Sequence, residues 1–233
     1  MRRSLAVVLA LAMLPVAAVR AAAQEPDLRP GVAVFPFEDG GWTGMTADDR
    51  SAMSVGLQQI LLNELSQNAN LRIVERNILR QILEEQDQGT SGRVDAATAA
   101  RIGKVVGARY VVLGTFTDLA GSQPTVTGRI VSVETSEVLK AEQSLGKKDE
   151  LYQMLVDLAG RVTTGVELPA LPSEQREARR SRAIPPEALR LYFRAQNLQD
   201  LGRTQQAIDL YQQISQKFPA MSEAQEALRQ LQG

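Results

Sequence analysis

Residues 99–114, AARIGKVVGARYVVLG, change rhythm halfway through. The first part continues a helical pattern from Ala96 to Val106, with Asp95 placed to cap it and Gly107 placed to stop it. The second part, Tyr110 to Phe116, is a continuous apolar run that reads as a buried strand. Such a helix-to-strand switch inside one short segment predicts an α/β layer structure. Working outward, Val32-Ala33-Val34-Phe35-Pro36-Phe37 reads as another buried strand, closed by the loop Asp39-Gly40-Gly41-Trp42-Thr43-Gly44. Met53, Leu57, Ile60, Leu61 and Leu65 lie at helical spacing. Leu71 to Glu75 alternates as a strand, and Ile78, Leu79, Ile82 and Leu83 recur as a helix. Beyond 114, strands are expected at Val126–Val133 and Val138–Ser144, then a helix presenting Leu151, Leu155, Leu158, Val162 and Val166. The expected class is α/β: a mixed β-sheet flanked by helices, over residues 28–168.

Residues 169–186 differ in character. Prolines at 169, 172, 185 and 186 bracket a charged stretch, which reads as a linker carrying a charged helical turn or two. Within it Arg176, Arg179, Arg180 and Arg182 alternate with Glu174 and Glu177, a pattern expected of a solvated surface. Residues 187–233 then form a small all-α unit of three amphipathic helices, with breaks at Gly202 and Pro219.

The N-terminus sets the address. Arg2 and Arg3, an apolar run from Leu5 to Leu14, and Ala21-Ala22-Ala23 are the parts of a cleavable signal peptide over residues 1–23, cut near Ala23-Gln24. The competing reading is a membrane anchor, but Pro15 ends the run far short of the about 20 residues a span needs. The expected location is the periplasm. With no cysteine there is neither a disulfide framework nor an attachment point for a lipoprotein's lipid. With no histidine, a Ser-His or Cys-His nucleophile is impossible and the commonest metal ligand is missing. Without the signal's three arginines, 26 basic and 27 acidic residues become 23 and 27, a net charge of −4 that argues against nucleic acid as partner.

Two resemblances add to this reading. From Ala188, Leu191, Ala195, Leu198, Gly202, Ala207, Tyr211, Ile214 and Pro219 fall where a tetratricopeptide repeat of about 34 residues wants them. Arg194 departs from the pattern, standing where the repeat prefers an apolar residue. VAVFPFED (32–39), RIVERNILR (72–80), AARIGKVVGARYVVLG (99–114) and IVSVETSEVL (130–139) resemble the CsgG-type domain. That family is known from the curli-secretion channel of bacterial outer membranes, with related forms among periplasmic activators of penicillin-binding proteins. The channel members carry long insertions that become spanning hairpins. Here Asp118–Thr125 and the tighter joints at 134–137 and 146–149 leave no room for strands of about 9–11 residues.

Candidate chemistry is sparse. The loop 39–44 sits where a phosphate-binding loop would, yet it lacks both G-x-G-x-x-G and G-K-[ST]. Trp42 on that loop is a partner-binding anchor if exposed and loop packing if buried. The repeat resemblance implies a concave face bearing Tyr192, Gln196, Gln199 and Asp200, polar enough for an extended peptide. No catalytic, cofactor or metal residues are assigned. The expectation is a non-enzymatic adaptor or assembly factor for envelope proteins, outer-membrane or secretion components among them, with no nucleic acid, no membrane span of its own and homo-oligomerisation left open. The alternatives are a subunit of an outer-membrane secretion or curli-type channel complex and, third, a ligand-binding α/β protein.

Overall fold

The structure, a computed structural model, describes residues 27–85, 94–119, 123–166, 168 and 170–232. The signal-peptide reading falls outside them. Six strands form one mixed sheet: β1 Gly31–Val34, β2 Glu38–Trp42, β3 Arg72–Ile73, β4 Tyr110–Asp118, β5 Thr125–Ser132 and β6 Val138–Leu145. Its order is β3-β1-β4-β5-β6, with β1 and β3 parallel to their neighbours and β5 and β6 antiparallel. The mixed α/β class expected from the sequence is what the chain adopts.

Two helices, α1 (Ala47–Ser66) and α4 (Leu151–Gly165), cover one face. Their Leu57, Ile60, Leu61, Leu155, Leu158 and Val162 pack on Val34, Val112, Val126 and Ile130 of the sheet. The opposite face is covered by α2 (Arg76–Glu85) and α3 (Ala96–Val105), through Leu79, Leu83, Ala99 and Ile102 against Ala33, Val111, Leu113 and Val131. Thr46 caps α1 by accepting the Asp49 N–H, and Asp95 caps α3 by accepting the Thr98 N–H at 2.8 Å.

One expectation needs correction. The segment taken as a loop after Phe37 contains β2, which runs parallel to β4 further along the same edge that β1 occupies. Pro36 separates the two strands, because proline has no N–H for the ladder. Across that break the carbonyl of Val34 accepts a 2.7 Å bond from Gln58 Nε2, a buried amide on α1. Asp39 Oδ1 accepts the N–H groups of Gly41 (2.9 Å) and Trp42 (3.0 Å), where Gly41 takes a φ of 110°. Backbone donors that a phosphate would need are thus already engaged.

The C-terminal part contains α5 (Ser173–Arg180), α6 (Pro186–Asp200), α7 (Thr204–Lys217) and α8 (Ser222–Gln232). α6 packs on α1, α7 on α6 and α8 on α7. Contact between α1 and α6 is close because Gly56 carries no Cβ; one built there would overlap the ring of Phe193. Tyr192 and Tyr211 pack between α6 and α7 with ring centroids 5.9 Å apart. Ile184, Ala188, Leu189, Ala207 and Ile214 belong to the same apolar core as α1 and α4. Among the described residues no helix is long and apolar enough to cross a membrane.

Candidate functional site

A cleft of about 780 Å³ lies where α1, the start of α2, α6 and α8 converge. Seven side-chain amides line it, alongside six charged side chains. Gln59 and Asn63 come from α1 and Gln67 from its C-cap, Asn77 from α2, Gln196 and Gln199 from α6, and Gln230 from α8. Helical spacing puts 59, 63 and 67 in one row, since residues four apart share a face. Within the row Gln59 Nε2 donates to Asn63 Oδ1 at 2.8 Å, and Asn63 Nδ2 reaches the Tyr192 hydroxyl at 3.5 Å.

Arg76 forms one end of the cleft. Its guanidinium donates to Asp200 Oδ2 (2.5 Å) and Gln196 Oε1 (2.7 Å), and its side chain is only 7% exposed. This explains the Glu75-Arg76 pair in the sequence: Arg76 turns inward to hold α6, while Glu75 stays at the surface. Burial raises the pKa of Asp200, against the lowering pull of Arg76. Burial also drives the Tyr192 and Tyr211 hydroxyls well above the usual phenol range, so both stay neutral; Tyr211 donates to Gln199 Oε1 at 3.2 Å, while Tyr192 accepts from Asn63.

One wall of the cleft, through Arg179 and Glu223, belongs to a charge network that sequence reasoning missed. Arg179 donates through Nε to Glu64 Oε2 at 2.9 Å, and its Nη2 contacts Glu64 Oε1 as well. The same Nη2 lies 3.2 Å from Glu223 Oε1. Arg182 grips Glu223 with both terminal nitrogens (2.6 and 2.8 Å) and donates to the Tyr152 hydroxyl at 2.7 Å. Tyr152 in turn donates to Glu64 at 3.0 Å. Two arginines and two glutamates balance, with Glu64 and Glu223 side chains 2% and 5% exposed. Burial opposes the charge of Glu223, but the bonds from Arg182 and its charge outweigh it and lower the pKa. Burial likewise opposes the charge of Arg179, and the hydrogen bonds and charge of Glu64 more than compensate. Arg179 and Arg182 therefore turn inward, correcting the solvated reading of that stretch. Their alternation with Glu174 and Glu177 looked like a surface helix, and no local signal marks carboxylates more than 40 residues away.

The residues singled out beforehand divide. Tyr192, Gln196 and Gln199 line the cleft, and Asp200 lines an adjoining groove with Arg80 and Glu84. Tyr192 and Gln196 are themselves buried, because the face expected to be concave and open is partly closed by α1. Trp42 stands apart at 9% exposure, edge-on to Phe116 with centroids 6.0 Å apart and Lys148 Nζ 5.7 Å above its ring. The ring packs β2 against β4, so the exposed-anchor reading is set aside. Among the described residues no group of three or more acidic side chains is arranged to hold a metal.

Comparison with known proteins gives three findings. Residues 16–128 match the family model described as Curli production assembly/transport component CsgG. No curated protein sequence matches the chain. Among solved structures, the LpoB C-terminal domain from Salmonella enterica is similar at 16% identity and a TM-score of 0.41, covering 51% of this chain and 83% of that one. TolB from Acinetobacter baumannii is similar at 16% identity and a TM-score of 0.40, over 62% and 30%. The PelC dodecamer from Paraburkholderia phytofirmans gives 18% identity and a TM-score of 0.33, over 60% and 90%. The family-model match supports a CsgG-type assignment for the α/β part of this chain.

Proposed function

We propose that this chain is a non-enzymatic protein-binding adaptor of the bacterial envelope, exported to the periplasm, and that the amide-lined cleft holds an extended segment of its partner. The observation that carries the reading is the lining itself. Seven side-chain amides converge on one groove between α1, α2, α6 and α8. Each amide offers both a donor and an acceptor, as does each peptide unit of an extended chain. A groove rich in such groups fits backbone recognition better than catalysis, which needs a nucleophile with a neighbouring base. The tetratricopeptide resemblance of residues 188–219 is in keeping with a peptide-binding role, and α6 packs against both α7 and α1. The match of residues 16–128 to the CsgG family model supports an envelope setting. The short β4–β5 and β5–β6 joints favour an adaptor over a pore-forming subunit.

Site-specific photo-crosslinking in cells tests this. A photoreactive residue at Gln59 or Gln230 in the cleft should capture a discrete protein partner, while one at Gln225, on the exposed side of α8, should not. Equal capture from all three positions, or none from the cleft, refutes the assignment. Loss of capture when Gln67 and Gln199 are both changed to Ala, at unchanged stability, would locate the contact.

A further inference from the structure

We propose that the groove between α4 and α5 is a binding site for a terminal phosphate group, that of a small phosphomonoester. The groove has a volume of about 380 Å³ and shares no lining residue with the amide-lined cleft. Asp157, Gly160, Arg161 and Thr164 of α4 line one side, and Arg176 and Arg180 of α5 line the other. Residues three and four apart on a helix share a face, so 157, 161 and 164 form one row and 176 and 180 another.

Charge decides what such a groove takes. Arg180 is engaged within it, its Nε lying 3.1 Å from Asp157 Oδ1. Among the described residues, neither Arg161 nor Arg176 has an ion pair or a side-chain hydrogen bond. Three guanidiniums against one carboxylate leave two positive charges facing the groove. A phosphomonoester carries about −1.5 to −2 at pH 7 and three acceptor oxygens, which matches that excess. A phosphodiester or a single carboxylate carries half as much. Planar guanidinium forks also fit pairs of phosphate oxygens, two N–H groups at a time.

The site is held ready rather than assembled by its ligand. The stem of Arg176 lies across Gly160, with Cδ 3.5 Å from where a Cβ would stand. Arg179 ties α5 to Glu64 on one flank, and Arg180 ties it to Asp157 on the other. Fixing α5 in this way lowers the ordering cost of binding. The volume falls in the range of small-ligand pockets, about 300–1,000 Å³, which suits a sugar phosphate or a lipid headgroup.

Isothermal titration of the full chain with glycerol 3-phosphate provides the test. Saturable one-to-one binding is expected, weaker by roughly tenfold or more for dimethyl phosphate, which has a single charge. Arg161→Gln combined with Arg176→Gln should weaken binding by roughly tenfold or more at an unchanged melting temperature, since both residues are exposed. Arg190→Gln with Arg203→Gln removes the same charge from exposed positions on the tail and should bind as wild type does. Asp157→Asn frees Arg180 and should tighten binding severalfold, a gain that misfolding cannot produce. Vesicles of phosphatidylcholine doped with phosphatidic acid separate the two sources. Co-sedimentation that the Arg161/Arg176 variant loses assigns the phosphate to a lipid headgroup, and binding of glycerol 3-phosphate without co-sedimentation assigns it to a soluble ester. No saturable binding of glycerol 3-phosphate at millimolar concentration, equal affinity for the diester, or equal losses in the two double variants would each overturn the proposal.

Discussion

Replacing Glu223 by Gln should destabilise the protein by about 3 kcal/mol at pH 7, and the deficit should vanish in acid. Glu223 accepts two bonds from Arg182 at 2.6 and 2.8 Å and lies 3.2 Å from Arg179. Its side chain is 5% exposed, whereas the two arginines are 17% and 20% exposed. Breaking a buried pair by neutralising one partner costs about 3–5 kcal/mol, chiefly by leaving the other charge uncompensated. The arginines' residual exposure, and Glu64 still holding Arg179, place this case at the low end. For a chain of this size, 3 kcal/mol corresponds to a fall in Tm of about 6–12 °C. The pH dependence has a definite sign. The folded pKa of Glu223 is below its ordinary value, so its contribution is fully present above about 4.3 and is lost as pH falls through the folded value. Urea denaturation of wild type and variant at a series of pH values from 7 to 3 isolates this, because every other titrating group is common to both. A difference under 0.5 kcal/mol at pH 7, or one of constant size down to pH 3, would falsify the role given to the network.

Two further perturbations probe other parts of the same architecture. Gly56→Ala gains about 1 kcal/mol of helix propensity, yet its methyl overlaps the Phe193 ring, and overpacking costs about 1–3 kcal/mol. Net destabilisation of about 1 kcal/mol is expected by thermal melting, relieved when Phe193→Leu is added; a stabilised single variant would show that α1 and α6 are not in close contact. Arg76→Leu should cost about 2–3 kcal/mol by stranding Asp200, whose side chain is 14% exposed, and adding Asp200→Asn should recover most of that. Additive losses in a denaturation-based double-mutant cycle would show that the pair does not couple.

How much of this was legible in the sequence depends on whether the deciding signal is local. Periodicity and caps located α3 and β4 to within a residue or two, since Asp95, Gly107 and the run from Tyr110 all act on their own neighbours. The run Val32–Phe37 reads as one strand, whereas the structure ends β1 at Val34 and begins β2 at Glu38, beyond Pro36. Gly40 and Gly41 look like loop, and only pairing with β4 turns Glu38–Trp42 into a strand. Tyr192, Gln196 and Gln199 were pointed out by the repeat spacing. What fills the space opposite them, the amide row of α1, lies more than a hundred residues earlier and leaves no trace in the repeat itself. The arginines at 179 and 182 show the same limit more sharply: their partners at 64, 152 and 223 sit in three separate elements.

The way the C-terminal helices are held also explains why the cleft is where it is. A tail of three short helices buries too little apolar surface to stand alone. Here α1 supplies the surface it packs on, with Gly56 letting α6 approach and the apolar residues of both entering one core. Were contact equally tight along all of α1, no cleft would remain. Toward its C-terminal end, however, the row Gln59, Asn63 and Gln67 replaces apolar side chains, and α8 is held off α1 by the charges of Arg179 and Glu223 rather than by hydrocarbon. Close packing at one end and polar spacing at the other open a wedge, and its walls are polar because only hydrated groups tolerate a gap of that size. The cleft is therefore a consequence of how the tail docks, so the Glu64–Arg179–Glu223–Arg182 network should govern both the tail's attachment and the width available to a bound segment.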